Sequence, residues 1–180
     1  MVEADDARIS DETLIGRTAA GDVSAFGRFV RRHQAAVYRF ARAAVPGEAE
    51  EILYDTFAAA RRGAGRYRDE PSARTWLLAL ARRAIERRYP QAERETDATS
   101  LRELARLAGQ GHLAENGEAA SIFEALPPED REILTLCDRE YFTVDEAARV
   151  TGLPEPAVRT RLHRARLRFL ARWKEGGLAR

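Results

Sequence analysis

Residues 142–168 read FTVDEAARVTGLPEPAVRTRLHRARLR, and their spacing predicts two helices joined by a tight turn. Thr143 followed three residues later by Glu146 has capping-box spacing, in which each residue satisfies a backbone amide that the helix start would otherwise leave unpaired. Ala147 and Ala148 keep the inner side of this helix small. Gly152 supplies the positive-φ position at which it can end, and Pro156 suits the first turn of the next helix because proline has no amide to satisfy. On that second helix Val158, Leu162, Ala165 and Phe169 recur at helical spacing and form the inner face. Arg159, Thr160, His163 and Arg164 fall on the other face, with Arg161 and Arg166 in the same basic run.

Six arginines and no acid lie between positions 159 and 172, an arrangement that repels itself unless phosphates or solvent neutralise it. A solvated basic helix accounts for the charge alone. The capped helix and glycine turn in front of it favour DNA, because a helix-turn-helix presents its second helix to the major groove. There a guanidinium fork bonds a guanine edge, and threonine or histidine adds a bond or a methyl contact.

In the N-terminal half, Ala49, Ile52, Leu53, Thr56, Phe57 and Ala60 form one apolar stripe of a helix, with Glu48, Glu51 and Asp55 opposite. Charge pattern alone reads that acidic face as solvated surface. Residues 61–72, RRGAGRYRDEPS, then break the helical pattern with two glycines and a proline, and four arginines surround Tyr67. Cations for phosphates and a flat ring for a base are the combination that holds single-stranded nucleic acid; a surface loop with Tyr67 tucked into the core is the plainer reading. The next helix carries Arg74, Trp76, Arg82, Arg83, Arg87 and Arg88, with Leu77, Leu80, Ala81 and Ile85 on its apolar side, and Pro90 ends it. Trp76 reads first as a core anchor.

From Pro90 to Ala125 the chain is rich in alanine, glycine and polar residues, with seven acids against three arginines between Glu93 and Glu124. This composition predicts a solvated linker with a short helix at 100–108. The expected architecture is all-α: two small helical domains, 1–90 and 121–180, joined by a flexible linker at 91–120, the C-terminal one a helix-turn-helix. Forty-four per cent hydrophobic residues suffice for two modest helical cores. The net charge of only +1 excludes a general polycation, so the DNA signal lies in where the arginines are concentrated. The single cysteine, Cys137, excludes an internal disulfide, and the three histidines have no metal-ligand spacing. No paired nucleophile and base and no phosphate loop stand out, so no enzyme activity, metal or cofactor is expected. No apolar run is long enough to span a bilayer and no signal peptide is evident, which points away from the membrane and to the cytoplasm.

The segment LPPEDREILTLCDREYFTVDEAARVTGLPEPAVRTRLHRARLRFL, with its run AVRTRLHRAR, resembles the promoter-reading C-terminal domain of bacterial sigma-70-type factors, specifically the extracytoplasmic-function (ECF) group. DETLIGRTAAGDVSAFGRFVRRHQAAVYRFA and EAEEILYDTFAAARRGAGRYRDEPSARTWLLALARRA resemble the core-binding domain of the same group. This resemblance implies an initiation factor that binds core RNA polymerase and reads the -35 and -10 promoter elements. Glu48, Glu51, Tyr54 and Asp55 would then meet the β′ clamp helices, and the C-terminal domain the β flap. Arg159, Thr160, Arg161, His163, Arg164 and Arg166 would read the -35 element. Arg66, Tyr67, Arg74, Trp76, Arg82 and Arg83 would hold the opened -10 element. The linker would thread the polymerase cleft, and relatives are commonly held inactive by an anti-sigma factor. Tyr54, Arg61 and Arg83 stand where the family usually has glutamine, tryptophan and asparagine. Those departures motivate an alternative, a sigma-like DNA-binding regulator that no longer melts promoters.

Overall fold

The computed structural model describes residues 9–68, 71–90 and 117–178. Among them are eight α-helices and no strand: α1 (Asp11–Ala19), α2 (Val23–Ala44), α3 (Ala49–Gly63), α4 (Ala73–Arg88), α5 (Gly117–Glu124), α6 (Pro128–Leu134), α7 (Val144–Thr151) and α8 (Glu155–Leu178). The all-α expectation therefore holds. Residues 91–116 lie outside the described residues, and with them most of the expected linker and the short helix at 100–108. The last four linker positions, 117–120, already belong to α5.

Local chemistry fixes the helix starts. Ser10, Asp22 and Ser72 cap α1, α2 and α4 through side chains that accept the amides of Thr13, Ala25 and Thr75. Gly21, at φ +93°, turns the chain between α1 and α2. Helix α3 continues through Arg61 and Arg62 to Gly63 and passes into a 3₁₀ turn at Ala64–Arg66. The expected loop is thus shorter than its glycines suggested, because Gly63 keeps a right-handed φ of −89°. Helix α4 ends at Arg88, where Tyr89 leaves the helical region at φ −132° and ψ 85° before Pro90, whose ring disfavours a helical residue in front of it.

Phe29, Phe40, Leu14, Ile52, Leu77 and Ile85 are fully buried in the N-terminal half, and Leu126, Ile133, Leu136 and Val158 in the C-terminal half. These residues belong to one continuous apolar core. The halves join where α4 packs on α7 and α2 on α6. This explains a departure on α4: Leu78 and Ala84 are buried as well as Leu77, Ala81 and Ile85, while Leu80 is only partly so. A helix with neighbours on two sides needs a wider apolar face than a stripe on one surface. Among the described residues, no helix is long and apolar enough to cross a membrane, and no group of three His, Cys, Asp or Glu residues could hold a metal ion.

Candidate nucleic-acid interface

The capping box at Thr143 and Glu146 forms in full, with the Thr143 amide donating to Glu146 Oε2 at 2.8 Å and the Glu146 amide to Thr143 Oγ1 at 3.2 Å. Gly152 closes α7 at φ +71°, and α8 begins with Glu155 and Pro156. Val158, Leu162 and Ala165 are buried as expected, and Phe169 is partly buried.

The outer face of α8 carries Arg159, Thr160, His163 and Arg164, all exposed. Thr160 Oγ1 donates to the Pro156 carbonyl at 2.9 Å, which uses its proton and leaves its acceptor lone pairs and its methyl group for a ligand. Arg159 pairs with Glu155 one turn back at 2.7 Å, a surface contact that a phosphate or base can replace. Arg161 is half-buried and lines a groove with Thr160, Arg164 and Arg168. Arg166 makes a two-pronged surface contact with Asp138 at 3.1 and 2.5 Å. Arg168 reaches Asp130 at 2.5 Å and Arg172 the Ala125 carbonyl at 2.6 Å. Half of the arginine run therefore anchors α8 to its own domain, which resolves the self-repulsion apparent in the sequence. Among the described residues, no ion pair engages Arg161 or Arg164, which leaves positive charge on this part of the face.

In the N-terminal half, Arg66 is exposed, and Tyr67 lies against Trp76 with ring centroids 5.0 Å apart. The Tyr67 hydroxyl donates to the Pro71 carbonyl at 3.2 Å. Trp76 packs on Gly63, where an added Cβ would sit 3.4 Å from the indole. Tyr67 and Trp76 thus form one aromatic unit, each partly buried against the core. Arg83 is exposed. Arg74 and Arg82 are engaged across the chain: Arg74 Nη2 donates to Glu140 Oε2 at 2.6 Å, and its guanidinium lies 4.6 Å from the Phe142 ring centroid. Arg82, whose side chain is 11% exposed, lies 3.4 Å from Glu132 and 3.3 Å from Glu86.

Of the four residues on the α3 side, Glu51 and Tyr54 face outward, Tyr54 being 76% exposed. Asp55 turns instead to Arg87 and Arg88 on α4, at 3.4 and 2.9 Å. Glu48 bonds Tyr89, whose hydroxyl is pushed above its ordinary pKa by burial first and by the Glu48 carboxylate second. Tyr54 also lines an apolar groove with Phe26, Val30, Leu53 and Phe57. Cys137 is half-buried, and burial pushes its thiol up to about 11.

Three residues that sequence reasoning passed over hold the halves together. Glu140 is 3% exposed and accepts Arg39 Nε at 2.5 Å as well as Arg74. Burial by itself would raise its carboxyl pKa, but the hydrogen bonds and charges of Arg39 and Arg74 outweigh this and hold it below its ordinary value. Arg131, 5% exposed, donates to the carbonyls of Ala43, Leu126 and Glu124 at 2.6, 2.8 and 3.0 Å. None of these partnerships leaves a periodic trace, since Arg39 and Glu140 are 101 residues apart.

Residues 29–95 match sigma-70 region 2, and residues 117–169 match sigma-70 region 4. The ECF RNA polymerase sigma factor SigM of Mycobacterium tuberculosis (strain ATCC 25618 / H37Rv) is 31% identical over 163 residues, covering 89% of this chain and 83% of its own length. BldN of Streptomyces coelicolor, another ECF sigma factor, is 29% identical over 181 residues, covering 94% and 67%. Among solved structures, CnrH in complex with the cytosolic domain of CnrY superposes with a TM-score of 0.66 at 27% identity, covering 92% of this chain and 97% of CnrH. RpoE of Bartonella quintana, solved with the anti-sigma factor NepR, shares the fold at a TM-score of 0.63 and 19% identity over 84% of this chain and 98% of its own. The chain belongs to the sigma-70 family, in its extracytoplasmic-function group.

Proposed function

We propose that this protein binds core RNA polymerase and directs it to promoters by reading a -35 element with α8 and an opened -10 element with the α3–α4 region. The observation that carries this reading is the outer face of α8, where Arg159, Thr160, His163 and Arg164 stand exposed on a rigid, capped helix-turn-helix. A major-groove reader requires that set of donors and apolar edges on one helix face. Glu51 and Tyr54 on α3 are outward residues suited to the β′ clamp helices, and the groove among α5, the end of α6 and α8, lined by Phe123, Leu134, Phe169 and Leu170, suits the β flap.

The division into a region 2-like domain at 1–90, a linker at 91–120 and a region 4-like domain at 121–180 assigns one promoter element to each half. Each contact is weak alone, and the polymerase makes them simultaneous and therefore tight. The protein works in the cytoplasm, contributes no catalysis of its own, and is a candidate for control by an anti-sigma factor, as its likeness to CnrH bound to CnrY suggests.

Transcription from a genomic fragment library with purified core polymerase and this protein tests the reading. Defined transcripts that share one two-element motif are expected. Duplex binding without core association or transcripts would instead identify a regulator that has lost promoter opening.

A further inference from the structure

Where the two halves meet, α2, α5, a π-helical turn at Thr135–Arg139 and α8 surround a cleft of about 420 Å³. Its apolar lining comes from Ala43 and Pro46 on the N-terminal side and from Phe123 and Phe169 on the C-terminal side. Three polar side chains converge on it: Tyr38 and Arg42 from α2, and Arg139 from the π-helical turn. A concave, mainly apolar space of this size with a few convergent polar groups, at a junction between domains, is the usual form of a small-molecule site.

The donors of this cleft are uncommitted. Among the described residues, no hydrogen bond or ion pair engages the hydroxyl of Tyr38, which is 37% exposed, or the guanidinium of the exposed Arg139. Arg42 meets Glu124 at 3.0 Å, with the two side chains 58% and 60% exposed. An exposed pair of this kind contributes little, so a ligand anion can take the place of the carboxylate. The other two cations of the cleft are spent, Arg39 on Glu140 and Arg131 on three carbonyls. Neither the promoter-reading nor the core-binding residues include Tyr38, Arg42 or Arg139.

We infer that this cleft binds a small molecule with a flat apolar body and one compact anionic group, an aromatic carboxylate, sulfonate or phosphate ester. The body lies against Phe123 and Phe169, and the anion takes Arg42, Arg139 and the Tyr38 hydroxyl. Guanidinium groups bind such oxygens through charge-assisted bonds, and a phenol adds one O–H donor. A neutral or cationic ligand would leave both guanidinium groups without a counter-charge. Because the donors and rings come from both halves, bound ligand stabilises the joined chain by mass action. Phe123 and Phe169 also line the groove suited to the β flap, so the two surfaces share two side chains.

The test titrates the full-length protein with anilinonaphthalene sulfonate, followed by the dye's fluorescence, and with N-phenylnaphthylamine, the same ring system without the anion. Arg42→Gln and Arg139→Gln remove charge at exposed positions, and Ala120→Phe fills the cleft from α5 without touching a donor, with Ala119→Phe as a second filling variant. Circular dichroism first shows that each variant keeps the parent's helix content and Tm, because the sulfonate dye also binds loosened cores. The expected result for the parent is one saturable site whose occupancy raises Tm. Each glutamine variant should bind the sulfonate about tenfold more weakly, for the loss of one charge-assisted hydrogen bond, and the neutral dye as before. A phenylalanine in the cleft should abolish binding of both dyes. Sulfonate binding that neither glutamine variant weakens would overturn the anion site. Binding that survives both filling variants would place the dye on another surface and overturn the cleft. A parent protein with no saturable sulfonate binding would overturn the inference as a whole.

Discussion

The guanidinium of Arg131 donates its Nε hydrogen to the carbonyl of Ala43 at 2.6 Å, joining α6 to the end of α2 across 88 residues of sequence. The same side chain serves the carbonyls of Leu126 and Glu124. Arg131→Met keeps the aliphatic stem but leaves buried acceptors unserved, at about 1–3 kcal/mol for each that water cannot reach. Urea unfolding followed by circular dichroism should show a lower midpoint, and a loss well under 1 kcal/mol would mean that water replaces the guanidinium.

Gly152 ends α7 at φ +71°, and a Cβ there would meet no atom within 4 Å. The cost of Gly152→Ala is therefore one of backbone conformation, about 1–2 kcal/mol for a left-handed L-residue. For a chain of this size it should lower Tm by roughly 2–8 °C. Gly152→Asn should cost less, because asparagine tolerates the left-handed region.

Glu140 is held below its ordinary pKa of 4.5, because Arg39 and Arg74 outweigh the effect of burial. A carboxylate with a depressed folded-state pKa contributes stability that is fully present above its unfolded value and lost as pH falls through the folded one. Arg39 and Arg74 are the charged groups that face it, at 2.5 and 2.6 Å. At constant ionic strength the radius of gyration should stay level from pH 7 to about 5 and rise at lower pH, and Glu140→Gln should lack the component due to this group. Identical acid profiles for the two proteins would count against the assignment.

Arg164 and Arg166 are two residues apart and should behave differently. Arg164→Ala removes an exposed side chain of the reading face and should weaken promoter use by an amount equivalent to about 1–3 kcal/mol, at one base position. Arg166→Ala mainly breaks the pair with Asp138 and should leave base preference unchanged. Transcription from promoters with single substitutions in the -35 element measures both, and equal loss of specificity in the two variants would contradict the division.

The helix-turn-helix was legible because its signals are local: Thr143, Glu146 and Gly152 act within one or two turns, and Val158, Leu162 and Ala165 repeat at helical period. The burial of Leu78 and the closure of Arg74 and Arg82 were not, since they depend on α7 packing against α4 and on Glu132 of α6 and Glu140, all from a distant part of the chain. Periodicity shows that a face is apolar or charged but not what covers it. Asp55 illustrates the same point, as its place opposite the α3 stripe gave no hint of Arg87 and Arg88 on the neighbouring helix. Glu140, between Arg139 and Tyr141, reads in sequence as one more surface acid, and only the π-helical turn before it directs it inward.

Promoter opening itself is the most direct test of the proposed function. Permanganate reactivity of thymines across a promoter found by the transcription experiment reports strand separation at single-base resolution. Reactive thymines confined to the -10 region, appearing only when core polymerase and this protein are both present, are the predicted result. Unreactive thymines on a promoter that the protein binds as duplex, with or without core enzyme, would contradict an initiation factor.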